Sequence, residues 1–305
     1  MTGVPSAQEL RAAAQRIKGH IRSTPTICLQ PGELGVDLRV TLKLEYLQYT
    51  GSFKARGALN SVLRAPAGTA AVVAASGGNH GAAVAWAAST VGIPATIFVP
   101  SLSPPAKQEL IRRYGADLRL VEGFYADALQ ASQNFADQQG AHRIDAYDSP
   151  STVAGQASLG AELAEQIPAG EPVIVSCGGG GLFAGVTLAL TGRNPVLAGE
   201  PETAPTLSRA LAAGRPVDVD VSGVAVDSLG ARRAGTIAVR VAQAHHAQVL
   251  LVPDTAITTT AQLLWDRLRI RAEAGAVTGL AAALHHKLTT DTGSITAVIS
   301  GANCQ

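Results

Sequence analysis

The sequence predicts an α/β protein built on two open, twisted parallel sheets with helices on both faces, and three observations carry that prediction. Short runs rich in Val, Ile and Leu alternate with helix-length segments along nearly the whole chain. Those runs are apolar throughout rather than every second residue, the pattern of strands covered on both faces. No repeat of roughly 20–50 residues and no low-complexity linker interrupts the alternation.

Taken in order, the opening MTGVPSAQELRAAAQRIKG is patterned as an amphipathic helix, and QYTGSFKARGALN (48–60) puts Lys54 at the first turn of another. Strands are expected over 70–76, 95–100, 117–123, 142–147, 172–177, 195–200, 248–254 and 294–300. Helices are expected over 79–91, 104–114, 124–139, 151–166, 181–191, 256–270 and 274–288. The strands form two blocks, before and after about residue 148, with no linker between them, so the two parts interleave. Residues 1–68 with 149–305 are read as the larger domain and 69–148 as the smaller. A cleft between two such sheets gathers strand C-termini and helix N-termini, which makes it a natural ligand site.

Composition narrows the function classes. Net charge is +1 with no basic or acidic block, which argues against nucleic acid and anionic membrane as partners. Charged residues make up only 15% and hydrophobic ones 47%, enough for a large core and a subunit interface. No apolar signal segment opens the chain, and runs such as GLFAGVTLAL are too short to span a bilayer. Cys28, Cys177 and Cys304 form neither a metal-spaced cluster nor a disulfide framework, so a reducing cytoplasm is expected.

Three glycine-rich turns and one lysine carry the chemistry. SGGNHG (76–81) follows a strand and opens a helix, whose unpaired N–H groups favour an anion beside Ser76, Gly77, Asn79 and His80. CGGGGLFAG (177–185) does the same with four consecutive glycines, Gly178, Gly179, Gly180 and Gly181, before Leu182, a backbone able to curl around a phosphate. That loop also approximates a dinucleotide fingerprint, with Glu200 as the ribose-binding acid, although its spacing is one residue too long. SGANCQ (300–305) places Ser300 at a strand C-terminus. Lys54, against apolar Phe53, has the setting that lowers an amine's pKa for Schiff-base chemistry.

These motifs, in this order, resemble the fold type II pyridoxal-phosphate enzymes (the tryptophan synthase β-like architecture), and within them the serine/threonine dehydratases. GSFKARGA, SGGNHG, VAGQASLGAEL (153–163), GGGGL, EAGA (273–276) and SGAN (300–303) carry the resemblance from about residue 10 to the C-terminus. It implies pyridoxal 5'-phosphate as cofactor, a large cofactor-binding domain and a small one closing on substrate. Lys54 would bind the cofactor covalently and later move protons. Phe53 would flank its ring, Asn79 would bond its phenolic oxygen, and Ser300 would face its pyridine nitrogen. Gly178 to Gly181 and Leu182 would hold the phosphate, while Ser76, Gly77, Asn79 and His80 would take the substrate carboxylate. The implied reaction is α,β-elimination of a β-hydroxy amino acid to a 2-oxo acid and ammonia, in a homodimer.

The departures refine that reading. Serine racemases of the family carry a serine acid/base where this chain has Gly77, so dehydration with little racemization is expected. The sulfhydrylase branch has an aspartate and a threonine where Ala55 and His80 stand. At the family's cation site Glu200 and Ala204 are present, but Thr206 replaces the second acid, so a monovalent ion or none is expected. VSGVAVDSLG (221–230) lacks the family's ADG, and Ala274 replaces a proline, which leaves the substrate side chain open among threonine, serine, 3-hydroxyaspartate and phenylserine. The chain ends at SGANCQ with no appended regulatory segment, so feedback control is not expected. A nicotinamide oxidoreductase and a binding protein without turnover are the competing classes, and neither explains all the motifs together. The pairs His245-His246 and His285-His286 point apart on a helix and are read as surface. Cys177 is read as a small buried side chain, and Trp86 and Trp265 as core residues.

Overall fold

The computed structural model describes residues 3–304, so Met1, Thr2 and Gln305 of the terminal segments lie outside the described residues. In chain order come α1 (Ala7–Ile17), β1 (Thr26–Leu29), β2 (Arg39–Lys43), α2 (Lys54–Leu63), β3 (Val72–Ala75) and α3 (Asn79–Val91). Next are β4 (Ala95–Pro100), α4 (Pro105–Arg113), β5 (Asp117–Val121), α5 (Tyr125–Gln139), β6 (His142–Arg143) and α6 (Pro150–Gln166). They are followed by β7 (Val173–Ser176), α7 (Gly181–Ala189), β8 (Val196–Pro201), α8 (Thr206–Ala212), α9 (Val226–Leu229) and α10 (Thr236–Ala244). The chain closes with β9 (Val249–Val252), α11 (Asp254–Leu268), α12 (Ala274–His285) and β10 (Ser294–Val298).

The strands make two sheets, one of six in the order β1-β2-β10-β7-β8-β9 and one of four in the order β5-β4-β3-β6. All pairings are parallel except β1 with β2, an antiparallel edge that the sequence reading missed. TICL and RVTLK carry threonine, cysteine, arginine and lysine, so they lack the unbroken apolar run that marks the buried strands. The strand expected over 142–147 is only two residues long. Asp145 stops it: its carboxylate accepts the Tyr147 and Asp148 N–H groups at 2.9 and 2.8 Å and turns the chain. Helices α8, α9 and α10 were not foreseen either.

Two glycine contacts in α6 position the site. A Cβ at Gly155 would come within 2.7 Å of the Arg56 carbonyl and the Gly57 Cα, so α2 and α6 cross backbone to backbone. One turn further on, a Cβ at Gly160 would meet the Ala189 Cβ at 2.7 Å, where α7 lies. The helix that begins at Lys54 and the helix that begins at the glycine loop therefore share one support. The other face of α2, Ala55, Ala58, Leu59 and Val62, packs in one cluster with Ala82–Ala88 of α3 and with Ile17. Trp86 belongs to that core, but Trp265 does not: it is 41% exposed, with Arg269 and Arg271 over its ring. Among the described residues, no helix is long and apolar enough to cross a membrane.

Candidate active site

Helix α2 starts without a side-chain cap, because its N-cap position is Phe53. Backbone pairing sets the start instead. The Phe53 N–H donates to the Ser300 carbonyl at 3.0 Å, and Ser52 forms a β-bridge with Gly301. The end of β10 is thereby pinned to the turn that presents Lys54. Lys54 Nζ donates to the Ala146 carbonyl at 2.9 Å and lies 5.1 Å from the Phe53 ring centroid. Burial lowers its pKa to about 8, with Asp145 pulling in the opposite direction. Loss of hydration disfavours the ammonium more than one nearby carboxylate restores it.

The glycine loop runs from the end of β7 to the start of α7. Gly180 has φ +84°, a left-handed conformation that favours glycine. Side chains would not fit at its neighbours: a Cβ at Gly179 would lie 2.4 Å from the Tyr147 ring, and one at Gly181 2.7 Å from the Tyr147 carbonyl. Bare backbone at a helix N-terminus presents N–H groups and a partial positive charge to an anion. Beside Lys54, the buried Ser52 hydroxyl has no hydrogen-bond partner. A phosphate cradle, an amine shifted toward neutrality and an unpaired buried hydroxyl fit a phosphorylated aldehyde cofactor.

The asparagine loop faces this assembly from the four-stranded sheet. Asn79 Nδ2 donates to both oxygens of Glu273, at 3.1 and 2.8 Å, and Asn79 Oδ1 accepts from Asn303 Nδ2 at 2.8 Å. Burial raises the Glu273 pKa, while the bond from Asn79 opposes the rise. Ser76 Oγ accepts the Gly78 N–H at 3.2 Å. The His80 ring is turned to the Ile144 carbonyl at 3.1 Å, and burial followed by the Lys54 charge lowers its pKa to about 4. Its Nε2 is thus engaged by a backbone carbonyl while the ring stays near Lys54, and at the start of α3 its backbone N–H can face an anion. Gly77 lies against Ser103, whose Oγ is 2.3 Å from where a Gly77 Cβ would be.

Glu200 and Ala204 adjoin the glycine loop from below. Both Glu200 oxygens accept hydrogen bonds, from Thr206 Oγ1 at 2.9 Å, Leu207 N at 2.7 Å and Ser208 N at 2.9 Å. The carboxylate therefore caps α8, and burial pushes its pKa up to about 7 against those donors. Thr206 Oγ1 also lies 2.7 Å from the Gly178 carbonyl, and the Ala204 carbonyl accepts the Thr206 N–H. This donor set does not fit a divalent cation: one carboxylate is present, its oxygens are engaged, and a hydroxyl stands where a second acid would be needed. Activity should accordingly survive a chelator unchanged. Thr206→Val, which loosens Gly178, should weaken cofactor affinity by about tenfold, in line with the loss of one buried hydrogen bond. A chelator-sensitive rate, or Thr206→Val with unaltered cofactor affinity by spectral titration, would contradict this account.

Around Lys54 the structure gathers Phe53, whose N–H bonds Ser300, the segment Ala146–Tyr147 that packs on Gly179 and Gly181, and Asn79, which approaches Gly301. Ser300 is buried rather than solvated. Sequence reasoning overlooked Tyr147, Asp145 and Asn303, and assigned Glu273 no role, although EAGA and SGAN were noted as motifs. Their partners lie far away in sequence, and no spacing connects them.

This fold and site define a fold type II pyridoxal-phosphate enzyme. The chain belongs to the family described as pyridoxal-phosphate dependent enzyme, whose profile matches residues 17–301. It is similar to an L-threonine ammonia-lyase of Geobacter sulfurreducens, with 30% identity over 96% of this chain and 74% of that protein. An L-threo-3-hydroxyaspartate ammonia-lyase of a Pseudomonas species is 32% identical over 91% of this chain and 88% of its own length. The solved structure of maize serine racemase superimposes with a TM-score of 0.92 at 30% identity, covering 99% of this chain and 94% of that one.

Proposed function

We propose that this chain is a deaminating dehydratase that converts L-threonine, L-serine or both to the 2-oxo acid and ammonia by α,β-elimination. The observation that carries the reading is Lys54, an amine with a pKa of about 8 bonded to the Ala146 carbonyl, next to Tyr147, which packs on a glycine loop whose helix has no side-chain cap. When bound, pyridoxal phosphate supplies the electron sink that makes the substrate's Cα–H acidic. The chain's own residues do the rest. Backbone N–H groups of Gly77, Asn79 and His80, around the N-terminus of α3, hold the carboxylate together with the Ser76 hydroxyl. The neutral Lys54 amine takes the Cα proton and passes a proton to the departing β-hydroxyl, which leaves as water. The released unsaturated amine then hydrolyses in water to the 2-oxo acid and ammonia. Ser300, buried just after β10, would offer the cofactor's ring nitrogen an uncharged hydroxyl rather than an acid, a setting that would favour prompt elimination. Residues 69–148 act as the part that closes on substrate, in a cytoplasmic homodimer whose interface takes up apolar surface.

Gly77 has no proton to deliver to the face opposite Lys54. The holoenzyme given L-serine should therefore form 2-oxo acid and ammonia in equal amounts, much faster than it forms D-serine. Rapid inversion of L-serine without 2-oxo acid would overturn the proposal. So would a purified protein that lacks the visible absorption of lysine-bound cofactor.

A further inference from the structure

We propose that Asp227 makes this enzyme select hydroxy amino acids with an uncharged side chain, by pairing with Lys107 and so denying that ammonium to a second substrate carboxylate. The inference rests on the dehydratase reading and narrows its substrate class. Lys107 stands in the first turn of α4, where the helix's own N–H groups already concentrate positive charge. It is nonetheless 7% exposed, a setting that requires an anionic partner. That partner comes from the opposite sheet: Asp227 in α9, between β8 and β9, forms an ion pair with Lys107.

Both ends of the pair adjoin the site. Ser103, just ahead of α4, packs on Gly77 of the asparagine loop. In α9, Leu229 packs on Gly178 of the glycine loop, and Ser228 Oγ lies 2.2 Å from where a Gly275 Cβ would be. The pair also acts on Glu273, the partner of Asn79: Lys107 lowers its proton affinity and Asp227 raises it. A substrate's second carboxylate entering here would meet Asp227 and Glu273 with Lys107 already neutralised. A methyl, hydrogen or phenyl group would face no such repulsion. Freed of Asp227, the same ammonium at a helix N-terminus would attract that carboxylate.

The test is 2-oxo acid formation by the holoenzyme from L-threonine, L-serine and L-threo-3-hydroxyaspartate. The natural enzyme should favour the first two by about tenfold or more in kcat/KM. Asp227→Asn should move that ratio about tenfold toward hydroxyaspartate, chiefly through KM. Asp227→Asn combined with Lys107→Met should cancel the gain, and Asp266→Asn on the distant surface should leave the ratio where it was. Three results overturn the inference while the dehydratase reading stands: a natural preference for hydroxyaspartate, an unmoved ratio in Asp227→Asn, or a gain that persists without Lys107. No 2-oxo acid from any of the three substrates overturns both.

Discussion

Lys54→Met is expected to abolish 2-oxo acid formation and, at the same time, to raise the melting temperature of the cofactor-free protein at pH 7. The activity loss should be about 10³-fold or greater, because covalent attachment and proton transfer both disappear. The stability gain follows from linkage. The folded-state pKa of Lys54 is about 8, below its ordinary 10.5, so between those values the unfolded chain binds more protons than the native one. Native stability therefore rises as pH climbs from about 8 toward 10.5, and the full penalty of the buried ammonium applies below about 8. Methionine has similar length and no charge to desolvate. Its advantage should be largest at neutral pH and vanish as pH approaches 10.5. Melting curves of both proteins from pH 6 to 11 measure it, and a variant less stable at every pH would show that Lys54 is there for packing. Rebinding of cofactor should, by the same titration, quicken as pH rises through about 8 in the natural protein.

The parts of this site that could be read in the sequence are those whose chemistry is contiguous. GSFK, SGGNHG and CGGGG each place a functional group next to the helix start that presents it, and α3 runs over the 79–91 that its pattern predicts. The unread parts depend on contacts between distant segments. Tyr147 lies against two glycines of the loop, and Asn303 reaches Asn79 and the Thr50 carbonyl. The glycines of VAGQASLG were noted as a motif, but only the crossing of α2 and α6 shows why no Cβ fits at Gly155. The antiparallel edge pair was missed for a different reason. Of the two, β1 is an edge strand paired on one side only and tolerates polar residues. Strand β2 is paired on both sides and hides its Lys43 by burying it against Glu162, so this covered strand carries no unbroken apolar run.

Low charge content also concealed where the charges are. Arg56 and Lys43 are fully buried, as is Glu45, and Glu162 is only slightly exposed. The Arg56 guanidinium forks onto Glu45, through Nε at 2.5 Å and Nη2 at 2.9 Å, and onto Glu162, through Nη1 at 2.6 Å and Nη2 at 3.0 Å. Lys43 Nζ reaches Glu162, the Thr24 carbonyl and Gln166, each at 2.7 Å. Burial works against the Arg56 charge, but the two carboxylates outweigh it and hold the guanidinium more firmly protonated than usual. Arg56→Met leaves two carboxylates facing Lys43 alone, an uncompensated buried charge that should cost about 3–5 kcal/mol. The melting temperature should fall by roughly 5–15 °C. Arg56→Lys should recover only part of that loss, because an ammonium cannot fork onto two carboxylates at once. The consequence reaches the site through α2, where Arg56 is two residues from Lys54 and the same turn carries both. Cofactor retention should therefore decline in both variants well below their melting temperatures, with Arg56→Met the worse. If Arg56→Met melts with the natural protein, the network contributes no net stability. If it melts early but holds cofactor equally well, α2 is seated by its glycine crossing with α6 rather than by the buried charges.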